Sequence, residues 1–422
     1  MEQESFDGEG GHFKIINTPR LTRCRICDSD RLEPVIDLGY QPWCNNFLKK
    51  EEIGEELFYP LRVVFCHDCS AAQLDFTVPK EVMFGDHTYR SGITKTFNEY
   101  FKNVAQEVDA RFFKDLKHKS VLDIGSNDGG QLKYYTALGY DVLGVESSKT
   151  IAKIANDEGI PTTNAFFNLD FARKLDKKFH VINAASVFYH LEELHCVTKG
   201  IKEVLRDDGV FVVQFVHMKR LIEQGGFDQI YHEHLLYYNL KTIEHLLNRH
   251  GLALFDGFVS SIHGGSIVGF VTHKGAKNKS DRLNALIKEE DDANSNDIST
   301  YNEFAKCIRD IKAENIAFLE NAKKRGKRIY GLGAPVKGNT LLNYFKVGTT
   351  YLECLLERNP LRRGLYSPGM HIPVMIEDEI ILPPDALYYV LAWNFKKEIL
   401  ERYKPLIDRG AEFFFPVNPK EV

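Results

Sequence analysis

The pattern of apolar and polar positions divides the chain into three regions. From about Arg20 to Tyr89, short apolar runs are interrupted by proline and glycine, which is typical of small strands and turns. From about Gly92 to His273, β-branched runs alternate with helically spaced apolar positions, as in a βαβ sheet. The pattern therefore predicts an α/β fold. We expect a disordered tail over 1–19 and domains over 20–90, 91–275 and 276–422.

The third region begins after a polar stretch at Lys274 to Ser280. Apolar residues then recur at helical spacing, from Phe304 to Phe318, and predict a helix that ends at the basic turn Lys323 to Gly326. Two later apolar runs, Tyr351 to Leu356 and Leu387 to Ala392, predict strands. We expect a second, smaller α/β unit here.

Composition narrows the classes of protein. The 422 residues carry a net charge of −5, so no overall basic field attracts nucleic acid or an anionic membrane. No apolar run approaches the ~18 residues of a transmembrane helix, and the acidic N-terminus lacks the features of a signal peptide. We expect a cytoplasmic protein, a monomer or a weak homo-oligomer, with no nucleic-acid or membrane partner.

Four of the eight cysteines form two C-x-x-C pairs, Cys24/Cys27 and Cys66/Cys69. Each pair presents two thiolates about a tight turn, and two such turns supply the four soft ligands of a zinc tetrahedron. The alternatives are a redox pair or four free thiols. No thioredoxin-like pattern surrounds either pair, so we predict a structural Zn²⁺ site.

A glycine-rich turn follows the predicted strand Val121 to Ile124. Its glycines fall at 125, 129 and 130, which does not match the dinucleotide pattern and favours S-adenosylmethionine over NAD. Glu146 ends the next strand, where an acid can accept both ribose hydroxyls of an adenosyl group. The predicted cofactor-binding residues are Asp123, Gly125, Asn127, Gly129, Glu146 and Phe166, the last being alternatively a core residue.

Two further strand ends point to the same crevice. An apolar strand is predicted to end at Phe188 to His190, and another ends near His217. Ligands in an open parallel sheet bind beyond the carboxyl ends of the strands. We therefore expect the glycine turn, Glu146, His190 and His217 to share one site.

Tyr231, His232, Glu233 and His234 place four titratable side chains in a row. One interpretation is a structural hydrogen-bond network, and a second is an H-x-H metal site that lacks an evident third ligand. We favour proton transfer, for which histidine is the side chain most easily tuned near pH 7.

The longer motifs resemble a known family. They are the paired C-x-x-C motifs, LDIGSNDG, GVESS, FDQIYHEHLLYY, IHGGS at 262–266, YGLGAPVKGNTLLNY, SPGMHIPV and LAWNF. In these the chain resembles, essentially end to end, the sugar C-methyltransferases that act on nucleotide-linked 4-keto-deoxy sugars. It is most similar to the C-3 methyltransferases of the tetronitrose pathway.

The resemblance implies a zinc-binding N-terminal domain, a Rossmann-like class I methyltransferase core, and a C-terminal α/β domain that helps to hold the nucleotide sugar. It also implies that His234 is the catalytic base, with Tyr231 and Glu233 beside it. Tyr89 and His190 match the family's other polar active-site residues. We expect no catalytic metal.

The expected reaction is C-3 methylation of a nucleotide-linked 4-keto-6-deoxy sugar in branched deoxysugar biosynthesis. The C-4 ketone acidifies the C-3 hydrogen, a base removes that proton, and a donor stabilises the enolate oxygen. Tyr231 or His190 is the candidate donor, and Glu233 is an alternative base or an orienting group for His234. The residues leave open a thymidine or guanosine nucleotide, C-5 or hydroxyl methylation, a zinc-ribbon RNA methyltransferase, and a non-catalytic binding module.

The predicted substrate-binding residues lie in the second half of the chain. Glycines around Lys337 favour a phosphate cradle, or else a tight strand-to-helix connection with a solvated lysine. An arginine run at 358–363 suits a diphosphate or remains solvated. A glycine-driven hairpin also explains residues 262–266. The predicted residues are His263, Lys337, Asn339, Arg358 and Arg363.

Overall fold

The structure, a computed structural model, describes residues 2–6, 12–16, 19–84, 90–91 and 95–417. Three β-sheets are arranged along the chain, one for each predicted region. Tyr89, a predicted active-site residue, lies outside the described residues. In the described part of the chain, we find no helix with the length and apolarity needed to cross a membrane.

The first sheet is built around two long antiparallel strands. Its strands in this region are β1 (Glu2–Phe6), β2 (His12–Ile16), β3 (Leu32–Pro42), β4 (Leu57–Cys66) and β5 (Ala72–Leu74). The expected disordered tail is wrong for β1 and β2, because β2 pairs in parallel with β4 and buries Ile15. A short helix, α1 (Lys80–Phe84), follows β5.

The central sheet has seven strands in the order β12-β13-β10-β9-β6-β7-β8. The strands of this region are β6 (Lys119–Ile124), β7 (Tyr140–Glu146), β8 (Thr162–Asn164), β9 (Phe179–Ala185), β10 (Leu205–Val216), β11 (Leu236–Tyr237), β12 (Leu252–Ser260) and β13 (Ser266–His273). The five strands from β10 to β8 are parallel, and β12 and β13 are antiparallel additions. The strand order reverses between β6 and β9, and this switch point is where ligands bind in such sheets.

Helices cover the central sheet. They are α2 (Lys95–Val108), α3 (Gly130–Ala137), α4 (Lys149–Asp157), α5 (Leu169–Lys174), α6 (Leu194–Val204), α7 (Met218–Glu223) and α8 (Leu240–Arg249). Side-chain caps fix some of their starts: Ser148 accepts from the Ile151 amide before α4, and Asn168 accepts from the Phe171 amide before α5. The expected αβ alternation is confirmed.

The C-terminal unit is a five-stranded parallel sheet preceded by two helices. Its helices are α9 (Asp281–Asp292), α10 (Ile298–Lys324), α11 (Val336–Phe345), α12 (Lys396–Arg402) and α13 (Lys404–Ile407), and its strands are β14 (Ile329–Leu332), β15 (Leu355–Glu357), β16 (Val374–Ile376), β17 (Leu387–Val390) and β18 (Glu412–Phe414). The strand order is β16-β15-β14-β17-β18. The helix predicted around Phe304 ends at Lys324 as expected, and Gly326 closes it with a φ of +71°.

The three regions pack into one body. Strand β11 leaves the central region and pairs with β5, so the first sheet contains a strand from the second region. One apolar core cluster contains buried residues from all three regions, including Phe65, Phe188 and Leu342. This packing brings loops from all three regions to the carboxyl edge of the central sheet.

Candidate active site

A cleft of about 800 Å³ opens at the switch point between β6 and β9. Its volume lies at the upper end of the ~300–1,000 Å³ typical of ligand pockets. All three regions line it, with Trp43 and Phe84 from the first, Gly125 and His234 from the second, and Lys337 from the third. A site built from three regions suits two ligands that meet at one place.

The glycine turn after β6 forms one wall of the cleft. Gly125 has a φ of +69°, and a Cβ atom there would lie 2.6 Å from Cγ2 of Val187. Gly129 has a similar φ of +73°, but a Cβ atom there would meet Ile160 at 2.8 Å, and Gly129 does not line the cleft. Gly125 therefore faces the ligand space, whereas Gly129 closes the turn behind it.

The carboxylate of Glu146 is held at the end of β7 by backbone amides. Oε2 accepts from the Asn127 amide at 2.9 Å, and Oε1 accepts from the Ser148 amide at 2.8 Å. Each carboxylate oxygen has further acceptor capacity, so the fixed group suits a vicinal diol. Asp123 also lines the cleft, and burial, reinforced by the charge of Glu146, raises its pKa well above the ordinary value.

Phe166 lies on the cofactor side of the cleft, beside helix α1 of the first region. The Lys80 ammonium sits 4.9 Å from the centre of the Phe166 ring and 2.7 Å from Glu193 Oε2. Phe84 at the end of α1 packs its ring 5.2 Å from that of His190. The predicted cofactor residues Asp123, Gly125, Asn127, Glu146 and Phe166 are thus brought together.

Of the consecutive residues 231–234, three line the cleft and one, His232, does not. His234 lines the cleft, and its Nδ1 donates to the Gln229 carbonyl at 2.8 Å, so the neutral ring presents Nε2 as its acceptor nitrogen. His232 is buried away from the cleft, and its Nε2 donates to the Tyr59 carbonyl at 3.3 Å. The H-x-H metal interpretation therefore fails, because the two rings do not converge.

Aromatic rings surround His234. The ring of Tyr231 lies 4.0 Å from that of His234, Tyr189 lies 4.5 Å away and His190 lies 5.2 Å away. Burial lowers the pKa of His234 well below its ordinary 6.5, and nearby His190 and His263 act in the same direction. Burial also raises the pKa of Tyr231 well above 10, so that its hydroxyl keeps its proton. The site therefore holds a neutral imidazole beside a protonated phenol.

Glu233 and His190 complete this part of the cleft. The Glu233 carboxylate accepts from the indole N–H of Trp43 at 2.8 Å, across the boundary between two regions. The Glu233 carbonyl accepts from His190 Nδ1 at 2.6 Å. Orientation of His234 by Glu233, one of the sequence alternatives, is not observed, since the Gln229 carbonyl performs that task. His190 lies in a turn beyond β9, which ends earlier than predicted, at Ala185.

Two of the predicted substrate residues, His263 and Lys337, line the cleft. His263, in the turn between β12 and β13, donates from Nε2 toward Ser186 Oγ at 3.1 Å. Lys337, at the start of α11, lies 3.2 Å from Asp228 Oδ2, and its ammonium lies 3.8 Å from the Trp393 ring centre. Burial lowers the pKa of Lys337, partly offset by the Asp228 charge. Of the two alternatives for this lysine, the solvated one is wrong, because its side chain is only 11% exposed.

The other predicted substrate residues lie elsewhere. Asn339, on α11, is buried outside the cleft and donates to the Cys44 carbonyl at 2.7 Å. Arg358 and Arg363 are exposed and do not line the cleft. Arg362 does line it, stacked 4.2 Å from the Phe47 ring centre. Position on a turn, and not charge alone, decides which arginine faces inward.

His217 is also excluded from the cleft, contrary to the prediction. It is 2% exposed, and its Nε2 lies 2.6 Å from Glu290 Oε1 on helix α9. That buried pair joins the central region to the C-terminal one, so His217 has a structural role.

The sequence reasoning missed a set of cleft residues from the first region and from helix α2. They are Trp43, Asn45, Asn46, Phe47, Phe97 and Phe101. None of them follows a strand end or a glycine turn of the central sheet, so no local pattern indicated them. Only the packing of the regions brings them to the site.

The four paired cysteines lie together away from the cleft. The Sγ atoms of Cys24 and Cys69 are 3.5 Å apart, as are those of Cys27 and Cys66, and all four atoms lie within 4.8 Å of one another. A tetrahedron with Zn–S bonds of ~2.3 Å needs sulfur atoms ~3.8 Å apart. The geometry and the soft donor set therefore fit zinc, with no ligand position left for catalysis.

Comparisons with known families agree with this layout. A model described as "Putative zinc binding domain" matches residues 24–84, one described as "Methyltransferase domain" matches 97–256, and one described as "C-methyltransferase C-terminal domain" matches 261–418. The three models match in succession and cover most of the chain. The third model begins at residue 261, so it includes β13 of the central sheet as well as the C-terminal unit.

Individual relatives extend the comparison. C-methyltransferase NovU of Streptomyces niveus is 28% identical over 410 residues, which cover 95% of this chain and 97% of that protein. An uncharacterized methyltransferase of Alkaliphilus oremlandii (strain OhILAs) is 28% identical over 136 residues, 30% of this chain and 62% of that protein. Among solved structures, magnesium protoporphyrin IX methyltransferase of Synechocystis PCC 6803 is 14% identical, with a TM-score of 0.33 over 46% of this chain and 88% of that one.

Proposed function

We propose that the chain, an S-adenosylmethionine-dependent C-methyltransferase with an N-terminal zinc-binding domain, methylates C-3 of a nucleotide-linked 4-keto-6-deoxy sugar. The motif resemblance supports the sugar substrate. The chemistry of the cleft supports a carbon acid, because a neutral imidazole and a protonated phenol lie together there. Both groups are what a base-generated enolate requires.

One observation carries this proposal above the others. Residues 231–234 and the glycine turn after β6 line the same cleft, at the switch point of the central sheet. A base and a methyl donor must approach one carbon atom from close range, and holding both reactants in place supplies much of the rate. The proton-transfer interpretation of His234 depends on this placement of His234 and the glycine turn in one cleft.

We propose His234 Nε2 as the base that removes the C-3 proton. The bond from Nδ1 to the Gln229 carbonyl fixes the tautomer and the plane of the ring. Burial keeps the imidazole neutral at physiological pH and therefore ready to accept a proton. When the ring becomes charged, the Gln229 carbonyl still accepts from Nδ1 and stabilises the imidazolium.

We propose Tyr231 or His190 as the donor to the enolate oxygen. Both line the cleft beside His234, and the raised pKa of Tyr231 preserves its hydroxyl as a donor. A donor aimed at the developing oxyanion is typically worth ~10²–10³-fold in rate. The half-buried Glu233 carboxylate, bonded to Trp43, adds a polar group that spans two regions.

We propose that the cofactor binds over the glycine turn. Glu146 would accept the ribose hydroxyls, Gly125 and Asn127 would let the backbone approach, and Phe166 would cover the adenine. When bound there, S-adenosylmethionine supplies an electrophilic methyl group for the carbon nucleophile. Phe97 and Phe84 add apolar surface to the cleft.

We propose that the nucleotide diphosphate lies on the side of the cleft formed by the first and third regions. Lys337 and Arg362 both line the cleft. Lys337 is paired with Asp228 and Arg362 with Glu357, and each also lies against an aromatic ring. These two cations suit a diphosphate charge. Arg362 replaces Arg358 and Arg363 of the sequence prediction, and Lys337 and His263 keep their predicted places.

We propose that zinc is structural. The four thiolates Cys24, Cys27, Cys66 and Cys69 would fill its coordination, and Arg249 ties the first knuckle to the central region through Asp28 at 2.6 Å. A free four-thiol cluster needs reducing surroundings to load metal, in accord with a cytoplasmic enzyme.

A direct assay tests the proposal. The purified protein is incubated with S-adenosylmethionine and a panel of thymidine- and guanosine-diphosphate 4-keto-6-deoxy sugars, and products are examined by mass spectrometry and carbon NMR. We expect one added methyl group, located at C-3. Methylation at C-5 or on a hydroxyl would refute the C-3 assignment, and no product from any sugar would refute the substrate class.

A further inference from the structure

Ser186 and His263 are two non-glycine residues that share an unusual backbone conformation and lie in contact. Their φ angles are +59° and +58°, in the left-handed region that L-residues rarely adopt. Both line the cleft, and Ser186 Oγ lies 3.1 Å from His263 Nε2. Strain of this kind is kept where the surrounding structure fixes it, often at functional sites.

The turn between β12 and β13 explains how His263 reaches the cleft. His263, Gly264 and Gly265 all have positive φ angles, the glycines at +82° and +129°. A Cβ atom on Gly265 would lie 2.8 Å from Cβ of Arg220, so the turn packs tightly against α7. The turn therefore directs the imidazole inward.

A hydrogen-bond chain fixes the tautomer of His263. The Ser186 hydroxyl donates to Gln214 Oε1 at 2.6 Å, and an amide oxygen can only accept. With the Gln214 amide oriented as in the structure, the Ser186 oxygen is the acceptor for His263 Nε2, which then carries the proton. The neutral ring consequently presents Nδ1 as a lone pair, the opposite of His234, which presents Nε2.

Gln229 connects the two imidazoles. Its carbonyl accepts from His234 Nδ1, and its side-chain amide donates to the His263 carbonyl at 3.2 Å. Burial lowers the pKa of His263 to about 4, and the nearby Lys337 charge acts in the same direction. His263 is therefore a neutral acceptor close enough to Lys337 to respond to its charge.

We propose that His263 Nδ1 accepts a hydrogen bond from a ring hydroxyl of the sugar, and that Gln214 and Ser186 act as positioning residues that hold it as an acceptor. The proposal rests on the proposed function and assigns the sugar-hydroxyl contact within it. A neutral acceptor repels an enolate oxygen, so this role is separate from oxyanion stabilisation. A site built to bond a hydroxyl discriminates strongly against sugars that lack it.

The first experiment measures the tautomer without any sugar. Ring ¹⁵N NMR is recorded on the protein with bound S-adenosylhomocysteine, and the His263 signal is assigned among the 15 histidines by its loss in His263→Gly. Glycine suits this position because it adopts a positive φ without strain. We expect His263 protonated at Nε2, and a mixture of tautomers in Ser186→Gly. Protonation at Nδ1 in the wild type would refute the proposed hydrogen-bond chain from Gln214 through Ser186 to His263, even if no sugar substrate were ever found.

The second experiment tests whether His263 binds a particular hydroxyl of the sugar. Thymidine diphosphate 4-keto-6-deoxyglucose and its 2-deoxy and 3-deoxy counterparts are compared as substrates and by calorimetry. We expect one deoxy sugar to lose about 10-fold or more in kcat/KM with the wild type and less than 2-fold with His263→Gly. Exposed Ser261, in the same turn, provides the control: Ser261→Ala should retain the wild-type preference.

Two outcomes would contradict the proposal in different ways. Equal losses in the wild type and in His263→Gly would show that the hydroxyl bonds elsewhere. A large loss of S-adenosylmethionine affinity in His263→Gly, with the sugar preference unchanged, would place Nδ1 at the cofactor. Absence of turnover with every sugar would count against the proposed function. The tautomer measurement would still decide whether Gln214 and Ser186 hold His263 as an acceptor.

Discussion

Substitution of alanine for Gly125 tests whether the glycine turn touches the cofactor. A left-handed backbone costs an L-residue about 1–2 kcal/mol, and the new methyl carbon would lie 2.6 Å from Cγ2 of Val187. Overpacking of this kind typically costs about 1–3 kcal/mol. We expect Gly125→Ala to lower the free energy of unfolding by about 2–5 kcal/mol.

The matched control is Gly129→Ala. Gly129 has nearly the same φ, and its added methyl would meet Ile160 at 2.8 Å, so a similar loss of stability follows. Because only Gly125 lines the cleft, only Gly125→Ala should also weaken S-adenosylmethionine binding, by at least about 10-fold, or 1.4 kcal/mol.

Stability is measured by denaturant unfolding and affinity by isothermal titration calorimetry, each on protein shown to be folded. The comparison depends on the difference between the two variants. If folded Gly125→Ala binds the cofactor as tightly as Gly129→Ala, the turn does not form the cofactor wall and the reasoning is refuted.

Three further predictions concern zinc, pH and the contact between regions. Metal analysis should find one zinc per chain, and Cys27→Ser should lower both zinc content and melting temperature; full zinc retention would exclude the four-thiolate site. Burial lowers the pKa of His232 to about 4 from 6.5, so between these two pH values the unfolded state binds a proton that the folded state does not. Stability should therefore fall by up to about 1.4 kcal/mol per pH unit as the pH drops from 6.5 to about 4. Urea titrations should show a shallower fall in His232→Gln, and an identical fall would refute this linkage. Trp43→Phe removes the indole donor to Glu233 and should reduce kcat/KM by about 5- to 30-fold, a loss of roughly 1–2 kcal/mol. Unchanged kinetics would show that this hydrogen bond does not contribute to catalysis.

The sequence predicted the parts of the site that follow from local pattern. Gly125 and Glu146 stand directly at the ends of β6 and β7, so their place follows from the rule that ligands bind at the carboxyl edge. The two C-x-x-C pairs converge because β3 and β4 are antiparallel neighbours, with Leu32 opposite Cys66. In both cases the position of each residue follows from the strand beside it and from how that strand pairs with its neighbour.

The remaining site residues depend on long-range packing and on helix phase. Asn339 lies two positions after Lys337 on α11, about 200° around the helix, so the two side chains cannot both face the cleft. Trp43 reaches Glu233 across 190 positions in sequence, and no motif records that contact. His217 stands at a strand end as predicted, but it is buried there in a pair with Glu290 of α9 and does not reach the cleft.

The proposed reaction depends on the transfer of a proton from the sugar carbon next to the ketone to His234. It is tested most directly by hydrogen exchange in D₂O, with the nucleotide-linked 4-keto-6-deoxy sugar and S-adenosylhomocysteine bound in place of the methyl donor. We predict that the wild type exchanges the C-3 hydrogen for deuterium and that His234→Asn, which retains an amide to donate to the Gln229 carbonyl, does so at least about 100-fold more slowly. Undiminished exchange in His234→Asn, with wild-type sugar binding, would contradict the account.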